Sequence, residues 1–391
     1  MIVAGAPAPV TRRDDVPVHA VAPASAPAGT AAPRARRAAS GDGPRRLPGG
    51  VVLAGLVLLL VALTIFAIGH GAFHIAPLDV LRIVAGNLGI DAGAVDSRQV
   101  AVLNSIRLPR VILAVVTGAG LAVAGALMQG LFRNPLADPT LIGVSSGGAL
   151  AAAFVIVLGA TWLPGVSKAL GTWTLPLAAF IGALVVTMVV YRIGATGGFL
   201  SLPSVLLAGI ALNALAMAGV GFLSYLANDE QLRNLTFWNF GSLGGATWTM
   251  LGAVAPLALT ATIAGIFLAR PLNALALGEA QALHIGVNVV AVKRTAVVLT
   301  ALAVGSLVAA TGVIGFIGLV APHAIRLACG PDHRIVLPGA ALLGAVLMVI
   351  ADALSRTVVS PAELPIGILT ATLGAPFFLA LLLRRRGQIG L

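Results

Sequence analysis

Long apolar runs, separated by short polar segments, dominate the pattern of this 391-residue chain. A helix that crosses a bilayer needs about 20 mostly apolar residues. We therefore predict an all-α, polytopic membrane fold with about ten transmembrane helices. Their approximate ranges are 51–69, 111–132, 140–160, 173–191, 202–226, 249–269, 292–312, 313–330, 336–354 and 366–383.

The seventh and eighth predicted spans are not separated by a polar loop. Only glycines and a proline interrupt the run, at Gly312, Gly315, Gly318 and Pro322. We divide the run there because the stretch from Val292 to Leu327 is longer than one bilayer crossing, even for a tilted helix. By contrast, the stretch NALALGEAQALHIG (Asn273–Gly286) is too polar to be a span and predicts a short helix between the sixth and seventh spans.

Composition supports a membrane protein with a separate tail. Hydrophobic residues make up 59% of the chain and charged residues only 9%, and the mean hydropathy is +1.03. This balance is typical of integral membrane proteins. Residues 1–50 are instead rich in Ala, Pro and Arg, which predicts a disordered cytoplasmic tail. A secretory signal is the alternative, but the first apolar run begins near Val51, too far into the chain, and is too long.

The net charge of +11 reflects basic residues at the ends of apolar runs, which favours membrane orientation over nucleic-acid binding. With a cytoplasmic N-terminus and ten spans, most of the 24 lysines and arginines lie on the inner side. The outer segments hold only Arg82, Arg98, Arg107, Arg110, Lys168, Arg233 and Arg356. This bias predicts that both termini, including residues 387–391, are cytoplasmic.

Few ionisable groups fall inside the predicted spans. Of thirteen acidic residues, only Asp352 does, and Arg356 follows it at i+4, where the two are placed to pair. Ion-coupled transporters place ionisable groups near the bilayer midplane. Neither Lys168 nor Lys293 belongs to a GxxxxGK[ST] phosphate loop. A transporter without either feature needs energy from a partner. The lack of ionisable groups in the spans argues against the alternative of a self-sufficient secondary transporter.

The single cysteine, Cys329, excludes an internal disulfide.

A faint internal repeat is visible. The segments AGALMQGLFRNP (Ala124–Pro135) and TGVIGFIGLVAP (Thr311–Pro322) each place a glycine ten residues before a proline. One follows a span that enters the cytoplasm and the other a span that leaves it. This arrangement is typical of an inverted repeat.

Several blocks, in order along the chain, carry a family resemblance. They are RLPRVILAVVTGAGLAVAGALMQGLFRNPLADPTLIGVSSGG (Arg107–Gly148), LPSVLLAGIALNAL (Leu202–Leu215), RPLNALALGEAQALHIG (Arg270–Gly286), GFIGLVAPHAIRL (Gly315–Leu327) with PDHR (Pro331–Arg334), and PAELPIGILTATLGAPFFLALL (Pro361–Leu382). From about Ile106 to Arg386 the chain resembles the permease subunits of bacterial type II ABC importers, the family that takes up iron chelates, haem and cobalamin.

The resemblance implies a ten-helix permease domain over 51–386 in the bacterial inner membrane, with the inverted-repeat fold of that family. It implies a homodimer with the pathway along its two-fold axis, two cytoplasmic ATPase subunits and a periplasmic substrate-binding protein. ATP and Mg would be bound by the ATPase partner, so this chain would be neither an enzyme nor the holder of a cofactor or metal. Membrane lipid would surround it, and no nucleic acid would be bound.

The resemblance also implies a role for the polar stretch between the sixth and seventh spans. It would be the coupling helix, over about 274–287, which docks into a groove of the ATPase. The residues concerned are Leu277, Gly278, Glu279, Ala280, Leu283, His284 and Gly286. An apolar stripe runs along this segment, and Glu279 near its start suits the helix dipole. Without the resemblance, the alternative is an ordinary interfacial connector helix.

Two further sites follow from the resemblance. Arg107, Arg110 and Arg356 match arginines that would face acidic residues of the binding protein, a task that suits the guanidinium fork. Ordinary interfacial arginines, or an internal pair of Arg356 with Asp352, are the alternatives. The turn into the fifth span matches the cytoplasmic gate, at Leu200, Ser201 and Leu202, although a plain helix start has the same pattern. Asn213, deeper in that span, either faces the pathway or bonds to a neighbouring helix.

The outer segment Asn228–Trp248 bears on the cargo. Phe237, Trp238 and Phe240 predict an aromatic wall at the mouth of the pathway, which suits a large planar ligand. For Trp238, an interfacial aromatic belt is the alternative. The segment is most similar to that of haem-uptake members, so we order the candidate cargoes as haem, ferric siderophore and cobalamin. His70 and His74, at i and i+4, form a weak candidate pair for ligating haem iron.

Overall fold

The computed structural model describes residues 47–386, apart from 72, 74, 91, 92, 94, 197, 198, 360 and 361. The predicted tail over 1–50 lies outside the described residues up to position 46, as do the C-terminal end over 387–391 and His74. The described chain is almost wholly helical, so the prediction of an all-α membrane fold is confirmed.

Sixteen α-helices lie in the described part of the chain. They are α1 (Gly49–Gly69), α2 (Pro77–Asn87), α3 (Ser97–Val102), α4 (Leu108–Leu131), α5 (Val144–Trp162), α6 (Pro164–Leu170), α7 (Thr174–Gly194), α8 (Leu202–Leu226), α9 (Asp229–Phe240), α10 (Trp248–Phe267), α11 (Ala269–Ala276), α12 (Glu279–His284), α13 (Val289–Thr311), α14 (Ile317–Cys329), α15 (His333–Thr357) and α16 (Ile366–Arg386). A π-helical turn at Leu103–Arg107 joins α3 to α4, and 3₁₀ turns occur at Pro139–Ile142 and Gly171–Trp173.

Each of the ten predicted spans corresponds to one of these helices. Eight described helical segments are long and apolar enough to cross a bilayer, and they contain α1, α4, α5, α7, α8, α10, α13 and α15. The other two predicted spans fall on α14 and α16, whose described apolar parts are shorter. The sequence therefore predicts the number and order of the apolar helices well.

The eighth span differs from its prediction, because α14 has only 13 residues and is about 20 Å long, less than the bilayer core. The chain breaks between α13 and α14, where Gly312 has a φ of 71° and Phe316 a φ of 67°. A side chain on Gly312 would lie 2.1 Å from the carbonyl oxygen of Trp238, so only glycine fits there. The start of α14 packs on Gly125, well inside α4, so α14 begins within the bundle rather than at its outer end.

Helix α4 lies at the centre of the described fold. It packs against α10, α13, α14 and α15, and nearly all its residues are buried. Two glycine contacts make this close packing possible. A Cβ on Gly118 would lie 2.2 Å from the carbonyl oxygen of Gly344 in α15, and a Cβ on Gly125 would lie 1.8 Å from that of Gly318 in α14. Small residues allow helices to approach this closely within a bilayer.

The described residues contain one short β-hairpin, whose two strands have two residues each. Strand β1 (Ala195–Thr196) pairs antiparallel with β2 (Phe199–Leu200), with Ala195 opposite Leu200. The hairpin connects α7 to α8. It therefore places the predicted gate residues at the start of α8.

Candidate functional site

The predicted coupling segment forms two short helices rather than one. Helix α11 ends at Ala276, and α12 begins at Glu279 and ends at His284. Gly278 between them has a φ of 125°, which a right-handed helix cannot contain, and Gly286 after α12 has a φ of 84°. The predicted helix over 274–287 is therefore divided by a glycine whose backbone conformation the sequence pattern does not reveal.

Helix α11 is fixed to the rest of the bundle. The side chain of Asn273 donates a 2.6 Å hydrogen bond to Asp332 and accepts one from the backbone nitrogen of His333. Hydrogen bonds from the backbone nitrogen of Arg334 and from Asn273 hold the pKa of the Asp332 carboxyl below its ordinary value. The connection between α14 and α15 thus anchors α11.

Helix α12, by contrast, presents apolar side chains to its surroundings. Leu277, Leu283 and Ile285 are 69%, 59% and 63% exposed, while Ala282 faces the protein and is fully buried. The apolar stripe predicted from the sequence contains Leu283 but not Ile285, which is exposed at the C-terminal end of α12. These three residues form an apolar surface, the α12 surface. Exposed apolar patches with polar neighbours mark sites of protein association.

The predicted residue Glu279 belongs to an ionic cluster beside the α12 surface. Its Oε2 lies 2.7 Å from Nζ of Lys293 in α13, and its Oε1 lies 3.8 Å from Nη2 of Arg133. Lys293 also donates a 3.3 Å hydrogen bond to the carbonyl oxygen of Leu200. We call Arg133, Glu279 and Lys293 the inner ionic cluster. Sequence reasoning did not assign Lys293 to a site, although a lysine at the start of an apolar helix is a usable signal.

The predicted gate residues lie against this cluster. Leu200 ends β2, and Ser201 is the N-cap of α8, where its hydroxyl oxygen accepts a hydrogen bond from the backbone nitrogen of Ser204. Leu200, Ser201 and Leu202 line a cavity of about 490 Å³. Glu279 and Lys293 line the same cavity. The structure thus brings two separately predicted sites, the coupling segment and the gate, to one cavity.

Asn213 makes contacts outside its own helix. Its Nδ2 donates a 3.0 Å hydrogen bond to the carbonyl oxygen of Thr140, and its Oδ1 accepts one from the hydroxyl of Ser146 in α5. Of the two alternatives for this residue, bonding to a neighbouring element is therefore observed. Asn213 ties α8 to the connection between α4 and α5.

Three aromatic side chains predicted at the pathway mouth lie on α9. A capping box of Asn228 and Gln231 starts this helix. Phe237 and Phe240 are 52% and 44% exposed, whereas Trp238 is half-buried against the hydrophobic core. The exposed aromatic surface is therefore formed by the two phenylalanines.

On the opposite side of the bundle, a second ionic cluster joins α4, α15 and the connection that leads to α16. The guanidinium group of Arg110 binds Asp352 through Nε at 2.8 Å and Glu363 through both terminal nitrogens, at 2.7 and 3.0 Å. Nε of Arg356 lies 3.1 Å from the second oxygen of Asp352, the predicted i+4 pair. Asp352 is 1% exposed and forms ion pairs with both arginines.

Arg107 and Arg356 contact the end of α1. Arg107, which is 5% exposed, donates hydrogen bonds to the carbonyl oxygens of Ile68 and Phe73. Arg356 donates a 3.3 Å hydrogen bond to the carbonyl oxygen of His70. Cationic donors at a helix C-terminus satisfy carbonyl groups that have no partner within the helix. We call Arg107, Arg110, Asp352, Arg356 and Glu363 the outer ionic cluster.

The pKa of Glu363 reports on this cluster. Glu363 lies between α15 and α16, and its side chain is 44% exposed. The hydrogen bonds from Arg110 hold the pKa of its carboxyl below its ordinary value. Each of the three arginines predicted to meet a binding protein is therefore engaged in contacts within its own chain.

Comparison with known proteins gives a consistent result. Residues 58–384 match the model of the FecCD transport family. Over 284 residues, 73% of this chain and 84% of its relative, the sequence is 50% identical to the hemin transport system permease protein HmuU of Yersinia pestis. Over 335 residues, 85% of this chain and 94% of its relative, it is 39% identical to the vitamin B12 import system permease protein BtuC of Salmonella typhimurium.

A solved structure resembles the whole helical bundle. It shows an inward-facing conformation of a metal-chelate type ABC transporter, with a TM-score of 0.74 and 31% sequence identity. The similarity covers 86% of this chain and 99% of that one. The family match, the relatives and the fold agree along most of the sequence. This chain belongs to the FecCD transport family.

Proposed function

We propose that this chain is the permease subunit of an ATP-driven importer that moves haem, or a related iron chelate, into the cytoplasm. The observation that carries the proposal is the α12 surface. Leu277, Leu283 and Ile285 are exposed on α12 and the residues that flank it, after the anchored α11. Such a surface suits a protein partner. In a chain without a phosphate loop, an ATPase is the partner that supplies energy.

The partners proposed are two cytoplasmic ATPase subunits, which bind ATP and Mg, a second copy of this chain and a periplasmic binding protein. The protein is proposed to lie in the bacterial inner membrane. The distribution of basic residues favours a cytoplasmic location for both termini. Leu277, Gly278, Glu279, Ala280, Leu283, His284 and Gly286 are assigned to ATPase docking. Leu200, Ser201 and Leu202 are assigned to the cytoplasmic gate.

Two observations favour haem as the cargo: the similarity to a hemin permease and the exposed aromatic residues of α9. Over 284 residues the hemin permease HmuU is 50% identical to this chain, against 42% over the same length for the vitamin B12 permease BtuC of Klebsiella pneumoniae. Phe237 and Phe240 expose aromatic surface on α9, which suits a planar apolar ligand. Ferric siderophore is the second candidate and cobalamin the third; among the similar proteins are a metal-chelate type transporter and the vitamin B12 permease BtuC.

The cargo and the energy source are tested together. The chain is reconstituted in liposomes with its ATPase and binding protein, and uptake of haem, a ferric siderophore and cobalamin is measured with and without ATP. We expect ATP-dependent uptake of haem and little of the other two. ATP-dependent uptake of a different chelate would correct the cargo. Uptake by this chain alone, driven by an ion gradient, would refute the importer.

Docking of the binding protein is assigned to the outer face around Arg107, Arg110 and Arg356. These arginines outnumber Asp352 and Glu363, so the outer ionic cluster carries a net positive charge that suits an acidic partner. Replacing the arginines would disturb the fold, because Arg107 and Arg110 are buried and the side chain of Arg356 is only 11% exposed. Glu363→Gln is the better test, since it raises the positive charge at a half-exposed position. We expect binding-protein affinity to increase at low salt and the increase to vanish at high salt. Unchanged affinity would leave the cluster with a structural role only.

A further inference from the structure

One buried lysine contacts both predicted sites on the cytoplasmic side. Lys293 lies in the second turn of α13 and is 6% exposed. A buried ammonium group is costly unless it is paired and hydrogen-bonded. Its two partners are the carboxylate of Glu279, at 2.7 Å, and the carbonyl oxygen of Leu200, at 3.3 Å. One side chain thus joins α12 to the end of β2.

The two partners differ in burial: the side chain of Glu279 is half exposed and Leu200 is buried. Glu279 is the first residue of α12, follows the glycine at 278 and is 40% exposed at its side chain. Leu200 is 7% exposed and is followed by Ser201, whose backbone nitrogen donates a hydrogen bond to the carbonyl oxygen of Gly194. A displacement of Leu200 would therefore be passed directly to the start of α8.

We propose that Lys293 is the positioning residue that transmits movement of α12 to Leu200 and hence to the N-terminus of α8. This inference rests on the proposed function, in which α12 docks an ATPase and Leu200–Leu202 form the gate. When a partner displaces α12, Glu279 moves with it. The ammonium group either follows the carboxylate or loses it, and in both cases its hydrogen bond to Leu200 changes.

The local geometry favours Lys293 over Arg133 for this role. The contact of Arg133 with Glu279 is longer, at 3.8 Å, and both side chains are about half exposed. Solvated ion pairs of this kind contribute little and are easily broken. An ammonium group carries three donors on a flexible stem, so it can hold a carboxylate and a carbonyl oxygen at once. The cavity of about 490 Å³ beside Leu200 and Lys293 gives the gate segment room to move.

The test uses the complete complex of permease, ATPase and binding protein in liposomes. ATP hydrolysis and cargo uptake are measured on the same preparation, so that uptake per ATP is obtained. For Lys293→Met we expect ATP hydrolysis to continue and uptake per ATP to fall at least about fivefold, the low end of coupling between two sites. Lys293→Arg keeps the charge and the donors and should retain most of the uptake. The matched control is Arg294→Met, an exposed cation at the next position of α13, which should leave the ratio unchanged.

An exchanged pair separates transmission from simple stabilisation. Glu279→Lys with Lys293→Glu restores an ion pair between α12 and α13. It removes the hydrogen bond to Leu200, however, because a carboxylate cannot donate to a carbonyl oxygen. Because Glu279 is also assigned to ATPase docking, uptake per ATP is measured only on complexes that copurify with the ATPase, and we expect these complexes to remain uncoupled. Restored uptake per ATP would overturn the proposal, since the ion pair alone would then suffice.

A readout at the gate completes the test. In a Cys329→Ala background, Leu202→Cys reports access to the cavity through its reaction with a water-soluble thiol reagent. ATP should change this reaction rate in the otherwise unaltered complex and not in Lys293→Met. If Lys293→Met fails to assemble, Glu279→Gln decides, because it breaks the ion pair at a half-exposed position.

The two proposals fail in different ways. Absence of ATP-dependent uptake by the unaltered complex would refute the proposed function, whatever Lys293 does. An active unaltered complex in which Lys293→Met or Glu279→Gln keeps its full uptake per ATP would refute only the transmission role of Lys293.

Discussion

Each of the two ionic clusters holds a buried cation and a half-exposed glutamate, but only the outer cluster also holds a buried carboxylate, that of Asp352. In the outer cluster, Asp352 is 1% exposed and lies between Arg110 and Arg356, and Arg356 also bonds to carbonyl oxygens at the end of α1. In the inner cluster, Glu279 is 40% exposed and is the first residue of a six-residue helix. Buried, multiply bonded charges fix a structure, whereas half-exposed charges can separate at little cost. The comparison indicates a fixed outer end and a movable inner end.

Removing Asp352 should have the largest effect on stability. Asp352→Asn leaves Arg110 and Arg356 buried without their shared counter-charge. Breaking a buried ion pair from one side costs about 3–5 kcal/mol of unfolding free energy. Thermal unfolding of the purified protein measures the loss. The control is Asp79→Asn, which removes a partly exposed pair with Arg82 in α2 and should cost about 0–1 kcal/mol. Equal effects of the two changes would show that the outer cluster is not a rigid anchor.

Helix packing beneath the outer cluster should be the next most sensitive feature. Gly118→Ala places a methyl group 2.2 Å from the carbonyl oxygen of Gly344, so α4 and α15 must separate. We expect a loss of about 1–3 kcal/mol in unfolding free energy, as for other overpacked sites. Gly252→Ala in α10 has open space around it and should be neutral or slightly stabilising. A harmless Gly118→Ala would mean that this contact does not hold α4 and α15 together.

Replacing Glu363 should reduce the unfolding free energy by a smaller amount, and this loss should depend on pH. Because Arg110 lowers the pKa of Glu363 in the folded chain, the ionised form contributes stability above the ordinary pKa of 4.5. That stability is lost as pH falls through the lowered folded value. The group is half exposed, so Glu363→Gln should cost only about 1 kcal/mol near neutral pH.

The pH series sharpens this prediction. The difference in melting temperature between the unaltered chain and Glu363→Gln should stay constant from neutral pH down to about pH 5 and shrink below that. A difference that instead grows on acidification would contradict the ion pair with Arg110.

The fold was largely predictable from sequence because spans are local. A run of apolar residues is sufficient to locate α1 or α8, and the ten predicted ranges all fall on helices. The short α14 was not foreseen, since its start depends on the backbone conformation of Phe316, which hydropathy does not report. For the same reason, the break at Gly278 that divides the coupling segment was not predicted.

The sites were less predictable because they depend on distant contacts. The pair of Asp352 and Arg356 follows from their i+4 spacing, but the pairs of Arg110 with Asp352 and Glu363 join residues far apart in sequence. The contacts of Lys293 with Glu279 and Leu200 likewise join three separate elements. The sequence motifs indicate which residues are candidates for a functional site, and the packing of the helices shows which of them are in contact.

The most direct test of a fixed outer end and a movable inner end is a pair of spin-label distances in the assembled complex. In a Cys329→Ala background, one pair, Gln281→Cys with Leu207→Cys, spans α12 and α8, and the other, Leu78→Cys with Val358→Cys, spans the outer cluster; all four positions are exposed. We predict that ATP binding shifts the inner distance beyond its resting distribution and leaves the outer distance unchanged. An unchanged inner distance, or an equal shift at both ends, would contradict the account.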